Sequence, residues 1–395
     1  MRKLSVTFLL IFLVLAGSSC GGLSAVAPEQ SAPAVVSISA GGGHNAIIKA
    51  DGSLWAWGWN MHGQVGDNSA REAHYRPVKV MDFVVDVSPG GFHTLAIRED
   101  GSLWAWGENS FGQLGDGTGY QRDEREYLIT DYRREPFQII DSGVSAIAAG
   151  HSTSFAVIDG VLWGWGFNYY GEVGDGTTET RNSPVFIMDS VIDVSGGISH
   201  TLALTSDGSL WAWGLNDDGQ LGNSEGNALT PIFVMDSVTA ISAGGYHSAA
   251  IRSDGSLWVW GSNRAGQLGD GTQTSRHDPI KTMDSVAYVS AGDSHTAAIE
   301  AAGSLSVWGL NDFGQIGDGA GGTKDFHGEN WSFSATPIKI MDSAAIVSAG
   351  RERTIALKAD GSLWAWGSNE DGALGIGYDT GPEALEPVQI MWPAS

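Results

Sequence analysis

The chain of 395 residues has little of three things. It holds one cysteine, so no disulfide can form within it and burial must supply the stability. Only 17% of its residues are charged, and 45 acids against 21 bases give a formal charge of −24. A surface of that sign repels polyphosphate, which excludes nucleic acid as an expected partner. Long apolar runs are missing too: beyond the first twenty residues nothing approaches the ~18 apolar residues of a membrane-spanning helix.

What is abundant is glycine, with 56 residues, and tryptophan, with 16. That composition suits many short strands joined by tight turns. One phrase, typified by "DGSLWAWG", recurs from Asp51, Asp100, Asp159, Asp207, Asp254, Ala302 and Asp360. The steps between copies are 47 to 49 residues, with two longer ones of 58 and 59. A period near 48 residues signals a repeat architecture rather than separate domains.

Each repeat carries short Ile, Val and Trp-rich pieces separated by Gly, Asn and Asp, the pattern of a strand meander. Asp254 and Gly255 are expected to centre a two-residue hairpin turn with φ above zero at both. Trp258 and Trp260 stand two apart and face one way, while Leu257 and Val259 face the other. A sheet that is apolar on both faces must be covered on both, and identical sheets around an axis can cover one another. Thirteen tryptophans fill these slots: Trp55, Trp57, Trp104, Trp106, Trp163, Trp165, Trp211, Trp213, Trp258, Trp260, Trp308, Trp364 and Trp366, with Ser306 as the gap. Each can remove about 150 to 250 Å² from water, so they read as structural. The expected fold is an all-β, seven-bladed β-propeller over residues 35–392. The N-terminal strand and the C-terminal "PVQIM" (Pro387 to Met391) are expected to pair in one blade and close it.

The residues "SAGGYHSAAIRSDGSLWVWGSNRAGQLGDGT" resemble the repeat of the regulator of chromosome condensation family, and seven such copies cover nearly all of residues 35–391. The resemblance implies a seven-bladed propeller. The founding nuclear members are exchange factors for a small GTPase and bind chromatin, which fits neither the charge nor the N-terminus here. A secreted bacterial branch acts by binding another protein over one face of the ring, which fits better.

That N-terminus has Arg2 and Lys3, then the apolar Leu4 to Leu15, then Ala16, Gly17, Ser18, Ser19 and Cys20. Residues 1–20 therefore read as an export signal. Cys20, with Ser19 before it and Gly21 after, is similar to the lipidation site of bacterial lipoproteins, although Gly17 stands where that pattern has Leu. Residues 21–34 read as a flexible linker. The expectation is an exported bacterial protein of the cell envelope, lipid-anchored or secreted, touching membrane only through that lipid and acting as a monomer.

Five repeats place a histidine alike: His44, His93, His200, His247 and His295, with Thr153 and Arg353 in the others. One per blade cannot converge on a metal, so these are expected to be buried and bonded to a neighbouring turn; no metal or other cofactor is expected. Asp67, Asp116, Asp175, Asp270 and Asp318 repeat after the Gly-Gln loop and read as turn caps. No catalytic motif stands apart from the repeat. The departures are two insertions, Thr118 to Pro136 and Gly319 to Pro337, both between the Gly-Gln loop and the Pro-led strand and so on one face. They offer Tyr120, Arg122, Arg125, Tyr127, Tyr132, Arg133 and Arg134, and Phe326, His327, Trp331 and Phe333, residue types enriched at interface centres. The leading expectation is a binding propeller engaging a protein or a cell-surface polymer with these loops. The alternative is a polysaccharide-acting envelope enzyme using Asp123, Glu124 or His327.

Overall fold

The computed structural model describes residues 34–119, 121–122, 128–129, 131–321, 331–378 and 380–391, with backbone only at 121, 122, 128 and 129. Blade 1 is an antiparallel sheet of β1 (Val35–Ala40), β2 (His44–Lys49), β3 (Leu54–Trp59) and β4 (Ala73–Met81), hydrogen-bonded in that order. Six more four-stranded sheets follow over 84–140, 144–188, 191–235, 238–283, 286–341 and 344–389, each in sequence order from inner to outer strand. The inner strand of every blade touches that of the next, and β1 touches the inner strand of blade 7 (Ala344–Ala349). This is a closed seven-bladed propeller. Pro77, Pro136, Pro184, Pro231, Pro279, Pro337 and Pro387 lie on the outermost strands, where an edge has no ladder partner for the missing N–H.

Closure differs in one respect from the expectation. The C-terminal strand Glu383–Gln389 pairs with Leu363–Ser368 of its own blade and not with β1. The reason is that β4, with Pro77 and Val78, already supplies the Pro-led strand of blade 1, so no blade is left short. The N-terminal and C-terminal blades join by packing. Val35, Ile38, Ile47 and Trp57 of blade 1 share a core with Ile355, Leu357, Leu363, Leu374 and Ile390 of blade 7. Each of the other six seams holds a similar core drawn from two adjacent blades.

The tryptophan slots divide the labour. Trp57, Trp106, Trp165, Trp213, Trp260, Trp308 and Trp366 are fully buried. Each donates its Nε1–H to a backbone carbonyl of the preceding blade, as Trp260 does to Gln220 (2.9 Å) and Trp308 to Gln267 (2.9 Å). The glycine two residues past that carbonyl clears the space: a Cβ on Gly269 would lie 2.6 Å from the Trp308 Nε1. The first-slot tryptophans are half-buried, and Trp55, Trp104, Trp258 and Trp364 turn back to their own hairpin. Trp55 donates to Ser53 Oγ, which itself donates to Asp51 Oδ1.

That Asp-Ser link also reshapes the hairpin. Gly52 N–H donates to Lys49 O and Lys49 N–H to Ser53 O, which makes a three-residue loop with only the glycine at positive φ. Gly255 has φ +79 while Asp254 is not left-handed, so the two-residue turn expected there is replaced by a loop whose Asp carboxylate accepts from Ser256 N–H. Only in blade 3 are both positions left-handed, Asp159 at +51° and Gly160 at +82°.

Gly269→Ala should cost at least about 3 kcal/mol, from left-handed strain plus collision with the Trp308 indole. Gly361, also left-handed but with open space around it, should cost only about 1 to 2 kcal/mol when changed to Ala. Denaturant midpoints of the two variants check the difference; equal losses would mean the tryptophan groove is slack.

Candidate functional site

Strand direction sorts the loops. Turns joining first to second strands and loops joining third to fourth strands leave one end of the ring, and all other turns leave the opposite end. The first end carries both insertions and is called the long-loop face below.

Its centre is a ring of glycines. Gly41, Gly90, Gly150, Gly197, Gly244, Gly292 and Gly350 open the seven inner turns, and a Cβ on each would fall within 3.0 Å of the carbonyl oxygen of the corresponding glycine in the next blade, Gly350 against Gly41 included. Backbone bonds such as Gly42 N–H to Gly90 O (2.9 Å) and Gly245 N–H to Gly292 O (3.1 Å) stitch the ring. It encloses an axial mouth of about 140 Å³. The residue after each glycine is where the repeat varies: Gly42, Gly91, His151, Ile198, Gly245, Asp293 and Arg351, of which all but Gly245 line the mouth. The Asp293 side chain is about a third exposed (36%), with the Arg351 guanidinium 3.9 Å away. Desolvation pushes the Asp293 carboxyl up, opposed by Arg351 and Arg353. Desolvation, then Arg351, pushes His151 down.

Behind the mouth each buried histidine bonds across a seam, to a hydroxyl of the next blade rather than to a turn. His44 Nε2 lies 2.7 Å from Thr94 Oγ1, His93 2.8 Å from Ser154 Oγ, and His247 2.9 Å from Thr296 Oγ1. His200 and His295 do the same with Ser248 and Thr354. The hydroxyl then donates to the carbonyl that the buried tryptophan uses: Thr94 and Trp106 share Gln64 O. Burial pushes these histidines down, to about 3 for His44 and about 4 for His247, so they stand neutral. In blade 7 the position holds Arg353, whose guanidinium donates to Asn45 Oδ1 (2.8 Å) and to the carbonyls of Gly41 (3.0 Å), Gly42 (3.0 Å) and His44 (2.9 Å). Among the described residues no group of three or more His, Cys, Asp or Glu could hold a metal ion.

Around the mouth, the third-to-fourth loops are held by two repeated amides. Asn60 Oδ1 accepts from Val65 N–H and Gln64 Oε1 from His62 N–H, and the same bonds recur at Asn263 and Gln267. Glu172 takes the glutamine's place in blade 3. Its Oε2 accepts from Tyr170 N–H (2.8 Å), while Oε1 is buried without a partner. Desolvation pushes this carboxyl up to about 7. Two chains of aromatic contacts crown the loops. Tyr132, His62, Trp59, Phe92 and His151 meet edge to face over blades 1 to 3, and Phe111, Phe167, Tyr169 and Tyr170 form the second chain over blades 2 and 3, with Phe167 and Tyr169 stacked.

The residues singled out from the sequence land unevenly. Tyr132, Trp331 and Phe333 are exposed on this face. Arg133 is committed to Asp116 in an ion pair (2.5 Å), as Arg181 is to Asp175 and Arg276 to Asp270. Arg134 donates to Ser69 O (2.8 Å) and Tyr132 Oη (3.2 Å). Arg122 is described only as backbone in a short strand. Cys20, Tyr120, Asp123, Glu124, Arg125, Tyr127, Phe326 and His327 lie outside the described residues. Trp59, His62, Phe92, His151, Tyr169 and Asp293 were not singled out from the sequence. Comparing the seven copies position by position after each turn glycine would have found them.

A ring of seven four-stranded blades around a glycine-lined axial mouth defines a seven-bladed β-propeller. A family model of the RCC1-like domain matches residues 18–238 and 81–394, and the chain belongs to that family. Among solved structures it is similar to yeast RCC1 (Prp20) bound to Kap60, at 24% identity and TM-score 0.72 over 85% of this chain and 83% of that one. Prp20p from Saccharomyces cerevisiae, solved in a study of its binding to Gsp1p and histones, gives 23% and 0.72 over 87% of each chain. Human WBSCR16 gives 22% and 0.71 over 86% and 95%. At these identities the likeness is one of fold. A comparison with curated sequences found no match.

Glu172 gives a pH test. Its folded pKa stands above the unfolded value, so its stabilising share is whole below about pH 4.5 and is lost as pH rises through about 7. Glu172→Gln should therefore raise the unfolding free energy by about 3 kcal/mol at pH 8 and by little at pH 5. The buried histidines act in the opposite sense, losing their share as pH falls below about 6.5. Chemical denaturation of both proteins across pH checks it, and a pH-independent difference would overturn it.

Proposed function

We propose that the chain is an exported interaction module, tethered by lipid at Cys20, that engages a protein partner with its long-loop face. The carrying observation is where the repeat breaks down. The opposite end repeats an Asp-Gly hairpin in six of the seven blades and a Met-Asp turn in five. The long-loop face instead collects both insertions, the aromatic chains and the charged residues of the mouth. Seven blades need like residues where they touch, so unlike residues on one exposed face point to a partner. Yeast Prp20, of the same family, is described as bound to Kap60 and as binding Gsp1p and histones, which supports a protein-binding role without naming a partner here.

Tyr169→Ala and Trp331→Ala should each reduce capture of a crosslinked partner from envelope extracts by about tenfold or more. Phe83→Ala, exposed at the opposite end, should leave capture unchanged; equal losses would sink the assignment of the face. Protease treatment separates a protein partner from a polymer. Lipidation is checked by labelling with a radioactive fatty acid: Cys20→Ser should lose the label and the membrane fraction, and a retained label would overturn the tether.

A further inference from the structure

The interaction reading leaves open which chemistry the face recognises, and the seven-fold repeat lets each blade serve as a control for the others. Between the Asn and the Gly of the third-to-fourth loops, blades 1 to 3 carry Met61 and His62, Ser110 and Phe111, and Tyr169 and Tyr170. Trp59 and Phe167 precede the Asn in blades 1 and 3. The same positions in blades 4, 6 and 7 carry Asp217 and Asp218, Asp312 and Phe313, and Glu370 and Asp371. Blade 5 offers Arg264, which leans toward Asp218 at 3.4 Å. The face is thus mainly aromatic over blades 1 to 3, where Glu108 precedes the Asn of blade 2, and mainly carboxylate over blades 4, 6 and 7, with Asp293 of blade 6 at the mouth.

The aromatic half has a continuous surface. Trp59 meets Phe92 at 5.2 Å, Phe92 meets His151 at 5.1 Å, and Phe111 meets Phe167 at 4.9 Å. Tyr169 stands 66% exposed at its crest. The carboxylate half is crowded by its own charge. Asp371 is pushed up by desolvation and by Glu370 and Glu72, and the Tyr246 phenol by desolvation and by Asp293, Tyr170 and Asp218. Arg351, itself held between Asp293 and Glu352, does not relieve Asp371.

We propose, resting on the interaction reading above, that the long-loop face docks a cationic polypeptide segment. Its apolar or aromatic side chains lie on the blade 1 to 3 aromatics, and its Lys or Arg side chains reach the blade 4 to 7 carboxylates. Asp293 receives one of them at the axial mouth. Complementarity of charge selects this occupant: a cation relieves the like-charge crowding, and a guanidinium can also stack on Tyr246 or Tyr170. An anionic polymer would meet a chain of formal charge −24.

The test is fluorescence anisotropy of the full chain with a labelled peptide alternating Arg with Tyr and Leu, beside the same peptide with Gln for Arg. A double variant Asp293→Asn, Asp371→Asn should weaken binding about tenfold or more, as should Tyr169→Ala. Asp141→Asn with Asp189→Asn removes the same charge from exposed positions at the opposite end and should change binding by less than about twofold. Equal weakening by both double variants would reduce the effect to net charge and overturn the proposal. So would equal binding of the Gln peptide, or binding of a soluble neutral glucan that needs Tyr169 but not Asp293. If capture of an envelope partner needs Tyr169 yet ignores Asp293 and Asp371, the cationic segment falls while the interaction module stands.

Discussion

The fold rests on one repeated contact: an indole N–H buried in a seam, donating to a carbonyl of the blade before it. A lone buried tryptophan would leave its Nε1 unsatisfied, a cost of about 1 to 3 kcal/mol. Here the carbonyl of Gln64 accepts from Trp106 and from the Thr94 hydroxyl together, and the hydroxyl in turn meets His44. Removing any member strands the others in a space without water. Neighbouring blades are thereby fixed in register as well as held together, because apolar burial alone has no direction and this network does.

The same constraint accounts for the glycines. The Gly-Gln-Leu-Gly loop is short of side-chain bulk where the next blade's indole lies, and a Cβ at Gly66, Gly115, Gly317 or Gly375 would strike that ring. It also accounts for Arg353. At the last seam the next blade offers Asn45, an amide, in place of a hydroxyl. A guanidinium reaches the Asn45 oxygen and three carbonyls at once. Burial lowers its pKa only to about 10, so it remains charged. The ring is shut by a cation solvated by backbone, at the one place where chain continuity does not hold two blades together.

Architecture was legible in the sequence because repetition multiplies weak signals. One Trp-x-Trp pair says little, and six of them in seven copies of one repeat force a closed set of sheets. Two details were not legible. The pairing of the C-terminal strand turns on which copy owns the Pro-led piece, and "YRPVKVM" before the second repeat is the outer strand of blade 1. The hairpin turn was read from Asp-Gly alone, whereas the serine two residues past the Asp draws its carboxylate into a wider loop. The site was less legible still. Arg133 looks like an interface residue by type, yet it pairs with the carboxylate of its own loop, as His74, Arg181 and Arg276 do in blades 1, 3 and 5.

Symmetry itself decides where function can sit. A seam position must satisfy two blades, so it admits His, Thr, Ser or Trp and little else. A hairpin position must satisfy its own turn. Residues just past the turn glycines and between the loop Asn and Gly carry neither duty, since the backbone there is fixed by the amides of Asn60, Gln64 and their counterparts. Those positions alone could diverge without loosening the ring. They did so by blade, aromatic on one side and acidic on the other, around a mouth that holds His151, Ile198, Asp293 and Arg351 where the other three blades hold glycine. A rigid frame with all its freedom gathered on one surface favours recognition by shape and charge, because the scaffold adds no ordering cost when a partner arrives.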